Sequence, residues 1–163
     1  MRHQDPANQP DPKDWMSKFR WSNFPIPEGH LIPLIAGITL HFFIPRKFSR
    51  SPTLKHKLGL PLILLGALLT TWSVMTIKDI EISRPNRIIV SGPYRFSRNP
   101  MYLGWTLIYT GITVLVNTRW ALYFLPWSLI FTHYFVILKE ERQLEQEFDE
   151  EYRKYRDRVR RYL

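Results

Sequence analysis

A short polar segment between two apolar stretches carries residue types that could bind a ligand. It spans residues 92–104 and reads GPYRFSRNPMYLG. Its glycines and prolines predict a fixed turn with available backbone donors, while its aromatic rings and the Asn99 amide offer stacking faces and hydrogen bonds. Irregular backbone beside lipid is tolerated only where protein or a water-filled cavity satisfies its polar groups. The segment therefore predicts a polar ligand pocket at a membrane surface.

Two adjacent carboxylates, Glu140 and Glu141, directly follow the last apolar stretch of the chain. If they lie on the same membrane face as residues 92–104, then aromatic rings, an amide and carboxylates surround one volume. A ligand with a flat ring, hydroxyls and a cationic amino-acid end, such as S-adenosylmethionine, would be matched part by part. Because a carboxylate beside an ammonium in a partly dry site forms a charge-assisted hydrogen bond, the acidic pair is the expected partner of the cation.

Four apolar stretches must position these residues, and they predict an all-α integral membrane protein with four spans. Residues 58–77 carry no charge and, at about 1.5 Å per residue, can cross a hydrocarbon layer of about 30 Å. Residues 120–138 form a second uncharged run, with Pro126 as the expected kink. Residues 31–44 and 101–116 are shorter, so each could be a tilted span, a re-entrant segment or a half-buried helix.

The rest of the chain predicts an N-terminal arm and one domain. Residues 1–28 are rich in proline and lack the apolar region of a signal peptide, so they predict a flexible or interfacial arm before a single domain over residues 29–163. The chain has no cysteine, which excludes disulfides and thiolate metal sites, and its histidines form no cluster, so no metal is expected. The chain has a net charge of +9, its basic residues border the apolar stretches, and no nucleic-acid motif accompanies them. This indicates the lipid bilayer as partner and no nucleic acid.

The distribution of basic residues predicts an orientation. With four spans, the arm, the loop 78–100 and the C-terminal tail share one side and hold most of the Lys and Arg, so that side is predicted to be cytoplasmic. One loop disagrees, because five basic residues would then face outward. They are Arg46, Lys47, Arg50, Lys55 and Lys57. Either the first apolar stretch is not a full crossing, or the other segments outweigh this cluster.

The tail, residues 139–163, predicts an amphipathic helix outside the membrane core. Apolar residues recur at intervals of three and four from Leu144 to Tyr162, and charged residues fill the opposite face. Acids cluster early in the tail and bases late, which complements a helix dipole. Arg98 is expected to hold the polar loop by pairing with a tail carboxylate.

The polar blocks together resemble the signature of the isoprenylcysteine carboxyl methyltransferase and phospholipid methyltransferase superfamily. The resemblance covers about residues 88–159 and rests on residues 92–104, then EERQL at 140–144 and FDEEY at 148–152. The chain has Asn99 where the family usually has histidine, and Asp149 where glycine is usual. The first change removes an imidazole but keeps a polar hydrogen-bonding side chain.

This resemblance implies an S-adenosylmethionine-dependent methyltransferase that acts on a lipid-like or hydrophobic acceptor at the membrane. The cofactor pocket would face the cytosol, walled by the polar loop and closed by the C-terminal helix, with a lipid-side tunnel for the acceptor. Glu140 would bind the methionine part of the cofactor, and residues 99–102 would form the central contact with the cofactor. The implied cofactor-binding residues are Arg87, Ile88, Ile89, Tyr94, Asn99, Pro100, Met101, Tyr102 and Glu140.

No catalytic base is obvious in the sequence. Methyl transfer from a sulfonium is an in-line displacement that needs alignment and a water-poor site. A carboxylate acceptor would need no base, whereas an amine or a thiol would have to lose a proton, which leaves His133 or Tyr102 as candidates. His133 lies seven residues before Glu140, so about two helical turns would place both on one face. It could touch substrate or cofactor, or only pair with a neighbouring helix.

Two other functions stay open on the sequence alone. Sterol reductases carry a similar Arg-Asn-Pro-Tyr-type block, so a membrane reductase using NADPH is one alternative. A non-catalytic module whose basic loops bind anionic lipids is the other. The three functions differ in the cofactor that they bind: S-adenosylmethionine, NADPH or neither.

Overall fold

The computed structural model describes residues 27–78, 80 and 87–163, and every regular element within them is helical. This confirms the all-α class for the described part of the chain. The predicted arm over residues 1–28 lies outside the described residues except for its last two, and Glu28 already belongs to a helix. The helices are α1 (Glu28–Phe43), α2 (Pro52–Thr76), α3 (Pro100–Val116), α4 (Arg119–Phe131) and α5 (Leu138–Arg158).

Each predicted span overlaps one helix, but the last one does not end where the sequence pattern suggested. Helix α4 runs through Pro126 without stopping, and a π-helical turn at Thr132–Ile137 joins it directly to α5. The result is one continuous helical run over Arg119–Arg158. The change of helix geometry thus falls six residues after the proline, where a wider turn lets the chain pass from the apolar span into the charged tail.

Within residues 27–78, 80 and 87–163, two helical runs are long and apolar enough to cross a membrane, by length and composition. They are Lys55–Thr76 and Arg119–Arg158, and only 28% and 22% of their most apolar windows are buried within the protein. Their apolar side chains therefore face outward, as lipid contact requires. Helices α1 and α3 are shorter, with 16 and 17 residues. The four-span topology stays a prediction.

Paired glycines bring α2 and α3 into close contact. A Cβ atom added at Gly66 would lie 2.6 Å from the Gly104 carbonyl oxygen, and one added at Gly111 would lie 2.7 Å from the Gly59 carbonyl oxygen. Small residues that let helix backbones approach are typical of membrane helix interfaces. Gly104 and Gly111 therefore allow α2 and α3 to pack closely.

Helix α3 separates two ends of the molecule. The polar loop lies at its N-terminus, and at its C-terminus Asn117 adopts a left-handed conformation and binds the backbone of Phe48 and Ser49 through its side chain. Seventeen residues at about 1.5 Å each place these ends about 25 Å apart. The loop between α1 and α2 therefore lies at the end opposite the polar loop.

The tail helix is shorter than predicted, and its last residues have a different role. Helix α5 ends at Arg158, with a non-helical Asp149 (φ 38°, ψ −106°) inside it. Residues 159–163, which we call the C-terminal strap, leave the helix and return to the polar loop, where Arg98 N–H donates to the Arg160 carbonyl at 2.9 Å. Arg160 and Arg161, at the end of the tail, thus help to hold the loop through their backbone carbonyls.

Candidate active site

The polar loop begins with a turn that only glycine fits. Residues Gly92–Arg95 form a 3₁₀ turn, and Gly92 has a φ of +56°. A Cβ atom at this position would also lie 2.5 Å from the Thr76 hydroxyl at the end of α2. The close approach and the left-handed backbone together explain the glycine. The turn directs Tyr94 toward the tail, where the Tyr155 hydroxyl donates to the Tyr94 carbonyl at 2.8 Å.

Asn99 is buried at the junction between the loop and α3, with 6% of its surface exposed. Its amide donates to the Glu141 carboxylate and to the Arg161 carbonyl, each at 3.3 Å. The side chain therefore joins three parts of the molecule: the loop, the start of α5 and the C-terminal strap.

Glu141 is the centre of a buried ion-pair cluster. Arg161 donates to both of its carboxylate oxygens, with the shortest distance 2.8 Å, and Arg98 Nη2 lies 3.5 Å from Oε1. The Arg98 and Glu141 side chains are 8% and 10% exposed. The expectation that Arg98 pairs with a tail carboxylate is confirmed. A buried carboxylate between two guanidiniums ties loop, helix and strap together, because none of the three charges is left unpaired.

Glu140 has different surroundings from its neighbour. It is partly buried, and it accepts a hydrogen bond from the Tyr102 hydroxyl at 2.7 Å. No basic side chain among the described residues pairs with it. Burial raises the pKa of the Glu140 carboxyl, the hydrogen bond from Tyr102 lowers it, and the charge of Glu141 raises it further. Glu140 is therefore a carboxylate that lacks a cation.

These residues surround a first cavity of about 470 Å³, which is within the size range of small-molecule sites. The loop, α3 and the first turns of α5 form its walls. All nine residues predicted to bind a cofactor line it: Arg87, Ile88, Ile89, Tyr94, Asn99, Pro100, Met101, Tyr102 and Glu140. The predicted meeting of the polar loop and the acidic pair at one open volume is thus present in the structure.

Several lining residues were not predicted. Tyr152 and Tyr155 pack with Ile88 in a buried apolar cluster that closes the cavity from the tail side. Their positions on the apolar stripe of the tail were visible in the sequence, but the stripe does not indicate what it packs against. Glu141 and Arg98 also line the cavity, as members of the acidic pair and the polar loop, and the other unpredicted lining residues are Ile77, Ile80, Gln143, Leu144, Gln146 and Glu147.

A second cavity of about 430 Å³ lies on the α4 side of Tyr102, which lines both cavities. Its wall is mainly apolar and includes Leu129, Ile130 and Tyr134, which are also exposed on the outer surface of the helical run. The second cavity is therefore reached from the apolar surface of the protein.

His133 lines this second cavity and not the first. Its Nδ1 forms a hydrogen bond with the Tyr162 hydroxyl at 2.5 Å. The expectation that His133 and Glu140 share one face assumed regular α-helical spacing, and the π-helical turn between them changes that spacing. Of the two candidate bases, only Tyr102 borders the first cavity.

No group of three or more His, Cys, Asp or Glu side chains in the described ranges is arranged to hold a metal ion. The donors at the first cavity are carboxylates, guanidiniums, an amide and phenols, which suit an organic ligand with charged and aromatic parts.

Neither a curated protein nor a solved structure matches the chain. The family model for phospholipid methyltransferases matches residues 54–151, which is more than half of the 163 residues. The matched region includes the polar loop, the acidic pair and Tyr102, which lines both cavities. The chain therefore belongs to the phospholipid methyltransferase family.

Proposed function

We propose that this protein transfers a methyl group from S-adenosylmethionine to a lipid-like or hydrophobic small molecule at the membrane. Membership of the phospholipid methyltransferase family implies methyltransferase activity. The observation that carries the cofactor assignment is Glu140, a partly buried carboxylate in the first cavity that has no basic partner among the described residues. Such a group favours a ligand that brings its own positive charge.

The donor set of the first cavity fits the two ends of this cofactor. Glu140 would accept from the ammonium of the methionine part. Arg98 also lines the cavity, and its buried Nε and Nη1 atoms have no hydrogen-bond partner in the described part of the chain, so they would donate to the methionine carboxylate. Ile88, Ile89 and Tyr94 offer an apolar and aromatic wall for the adenine ring.

The two cavities divide the reactants between them in this proposal. When bound, the sulfonium supplies an electrophilic methyl group. The chain orients it from the first cavity, while the second cavity holds the apolar body of the acceptor, and Tyr102 borders both. The protein contributes by aligning the reacting atoms, and its packed tail excludes water from them.

The acceptor atom remains a carboxylate, an amine or a thiol. A carboxylate would need no base, whereas the other two must lose a proton. The Tyr102 hydroxyl directs its own proton to Glu140, so it is poorly placed to accept another. His133 lies in the second cavity, where an acceptor that carries a proton would meet it. We propose His133 as the base only for an amine or thiol acceptor.

We also propose that residues 29–163 form one multi-pass membrane domain with loop 78–100 and the C-terminus in the cytoplasm. The separation of about 25 Å between the two ends of α3 supports this, because it approaches the thickness of a hydrocarbon layer. Contacts between the loop and the strap support their location on one side.

The function is tested by incubating the purified full-length chain with S-adenosylmethionine that carries a labelled methyl group, together with matched alkyl chains ending in a carboxylate, an amine or a thiol. We expect label in the organic extract with one of these acceptors. Label transferred only to water-soluble acceptors would contradict the hydrophobic substrate. Binding of NADPH, with no binding of S-adenosylhomocysteine, would instead support a reductase.

A further inference from the structure

Six basic residues form an exposed group at the end of the molecule opposite the first cavity. We call it the distal basic cluster, and it contains Arg46, Lys47, Arg50, Lys55, Lys57 and Arg119. All but Lys55, which is half-buried, are exposed. Helix α3 places this end about 25 Å from the polar loop. The cluster is thus separate from the candidate active site.

No carboxylate of the surrounding sequence balances this charge. Between Glu28 and Asp79, and again between residues 100 and 139, the chain has no Asp or Glu. The acids of the described residues lie at the start of α1 or in the tail, at the end of the molecule that holds the first cavity. Among the described residues, no member of the distal basic cluster forms a salt bridge. In the described part of the chain, this end therefore carries six positive charges that have no acidic partner.

The loop that carries the cluster is held in one conformation. The Asn117 side chain binds Phe48 and Ser49 backbone groups at 2.7 to 3.2 Å, and Arg119 N–H donates to the Arg46 carbonyl at 2.9 Å. The Arg46 guanidinium lies 5.6 Å from the centre of the Trp120 ring. A loop fixed by side chains of the α3–α4 turn keeps like charges close together, although their mutual repulsion favours separation.

Helix α2 increases the positive potential at this end. Its N-terminus lies in the cluster, its first turn contains no acid, and Lys55 and Lys57 follow. The positive end of the helix dipole disfavours both lysines unless an anion is present. The observed arrangement of charges is therefore suited to an external anion.

Exposed aromatic residues beside the cluster indicate which kind of anion fits. Phe42 and Phe43 end α1 and are 80% and 79% exposed, and Phe48 lies among the basic residues with 37% exposed. Apolar rings next to basic groups match a partner with an apolar body beneath a phosphate, and a free anion in water would leave these rings unpartnered.

We propose that the distal basic cluster binds the phosphate groups of anionic phospholipids, at the membrane surface opposite the cofactor cavity. The rings of Phe42, Phe43 and Phe48 enter the lipid layer beside them. This proposal does not depend on the methyl-transfer reaction, and it gives a physical role to the basic loop that opposes the predicted orientation. Contacts with lipid phosphates would explain why these basic residues occur in a loop where the charge distribution alone does not predict them.

The proposal is tested with the full-length chain in lipid nanodiscs made from phosphatidylcholine alone or with increasing fractions of phosphatidylglycerol. We expect the unfolding temperature to rise with the anionic fraction. The rise should largely disappear near 1 M salt, where the screening length falls to about 3 Å. An unfolding temperature that is independent of the anionic lipid would overturn the proposal.

A matched pair of variants assigns the effect to this end of the molecule. The triple variant Arg46→Gln, Lys47→Gln, Arg50→Gln should lose most of the rise in unfolding temperature. Its control removes the same charge from exposed residues of the tail, with Arg142→Gln, Lys154→Gln and Arg158→Gln, and should keep most of the rise. Equal losses in the two variants would contradict a built site at the distal end.

Two further measurements keep the result unambiguous. If the triple variant does not fold, Lys47→Gln alone should still lose a measurable part of the rise, since Lys47 is exposed, and no loss would count against the proposal. Inorganic phosphate added to neutral nanodiscs should cause no rise. A rise equal to that given by phosphatidylglycerol would show that the cluster binds free anions, and the lipid assignment would be wrong.

Discussion

Adjacent carboxylates at the start of α5 have opposite roles in this protein. Glu141 is bound by Arg98, Asn99 and Arg161 and holds the loop, the helix and the strap together. Glu140 lines the same cavity, but its only described partner is the Tyr102 hydroxyl. Of this adjacent pair, Glu140 is therefore available to a ligand cation, whereas Glu141 is already neutralised. The methyltransferase proposal depends on this difference.

The first prediction concerns the affinity for the cofactor product. Replacing the charged carboxylate in Glu140→Gln should weaken binding of S-adenosylhomocysteine by about 1.5 to 3 kcal/mol, the range for a lost hydrogen bond to a charged group, or roughly 10- to 150-fold in Kd. Isothermal titration calorimetry in detergent measures the change. The amide keeps the size of the side chain, so the cavity should keep its shape.

The control for this variant must lie away from the cavity. Glu147 is exposed but lines the first cavity, so it is not a suitable control. Glu151 is exposed and does not line the cavity, so Glu151→Gln should leave the affinity unchanged. Equal losses in Glu140→Gln and Glu151→Gln would count against Glu140 as the cation partner.

Cofactor binding should also depend on pH through Glu140. Burial raises the pKa of its carboxyl, and an ammonium ligand favours the ionised form and lowers that pKa again. Binding therefore releases a proton, so affinity is constant above the raised pKa and falls by up to about tenfold per pH unit below it. Calorimetric titrations from about pH 8 to pH 5 should show this loss, and Glu140→Gln should not. A profile that is the same in both proteins would contradict the assignment.

Individual residues of the cavity were predictable from the sequence where a local motif marked them. The nine predicted residues lie in or beside two such motifs, and all nine line the first cavity. Arg161 and Tyr155 were not assigned to the site, because their positions depend on how the tail folds back onto the loop. A charged residue near a chain end has the same local signature whether it is solvated or ion-paired.

At the scale of elements, apolar runs predicted the helices well but not how they connect. The apolar helices follow from uncharged length, and the stripe of the tail follows from its spacing. The π-helical turn Thr132–Ile137 adds no distinctive residue type, so the sequence could not indicate that His133 faces the second cavity. The strap likewise needs long-range bonds, such as that from Asn99 to Arg161, which local patterns do not contain.

The contact between α2 and α3 gives a prediction at this scale. In Gly104→Ala the new methyl group would collide with the Gly66 carbonyl and the Thr70 hydroxyl, so the helices must separate. We expect a loss of about 1 to 3 kcal/mol in the free energy of unfolding, as is typical of overpacking, together with weaker binding of S-adenosylhomocysteine because α3 carries Tyr102 and begins directly after Asn99. Denaturant unfolding measures the first change and calorimetry the second.

The control for this variant removes apolar volume from the lipid-facing side. Leu68 on α2 is 67% exposed, so Leu68→Ala should change the free energy of unfolding far less than Gly104→Ala. If Gly104→Ala were as stable as the unmodified protein, the close glycine contact would not hold the two helices together.

The whole molecule has two chemically different ends joined by apolar helices. One end holds the acidic pair Glu140 and Glu141, the polar loop and the strap, and the other holds the distal basic cluster. This separation could be read only in part from the sequence, which shows where charges occur but not which of them meet. The sequence shows the basic loop, but it does not show the contacts of that loop with Asn117 and Arg119.

The absence of native cysteine allows a direct test of this arrangement. Single-cysteine variants at exposed Lys47 and Glu151 place a thiol at each end. With four spans and a cytoplasmic tail, a membrane-impermeant maleimide added to intact cells should label Lys47→Cys and not Glu151→Cys. Lysed cells provide the control, since both should then react. Labelling of both variants in intact cells, or of neither, would contradict the four-span topology.

The central claim is that the polar loop and the acidic pair bind one nucleoside cofactor between them. A structure of the protein determined with S-adenosylhomocysteine bound tests this most directly. We predict that the ligand ammonium lies within hydrogen-bonding distance of the Glu140 carboxylate and that the adenine contacts the wall formed by Ile88, Ile89 and Tyr94. Ligand bound only in the second cavity, or with its ammonium directed away from Glu140, would contradict the account.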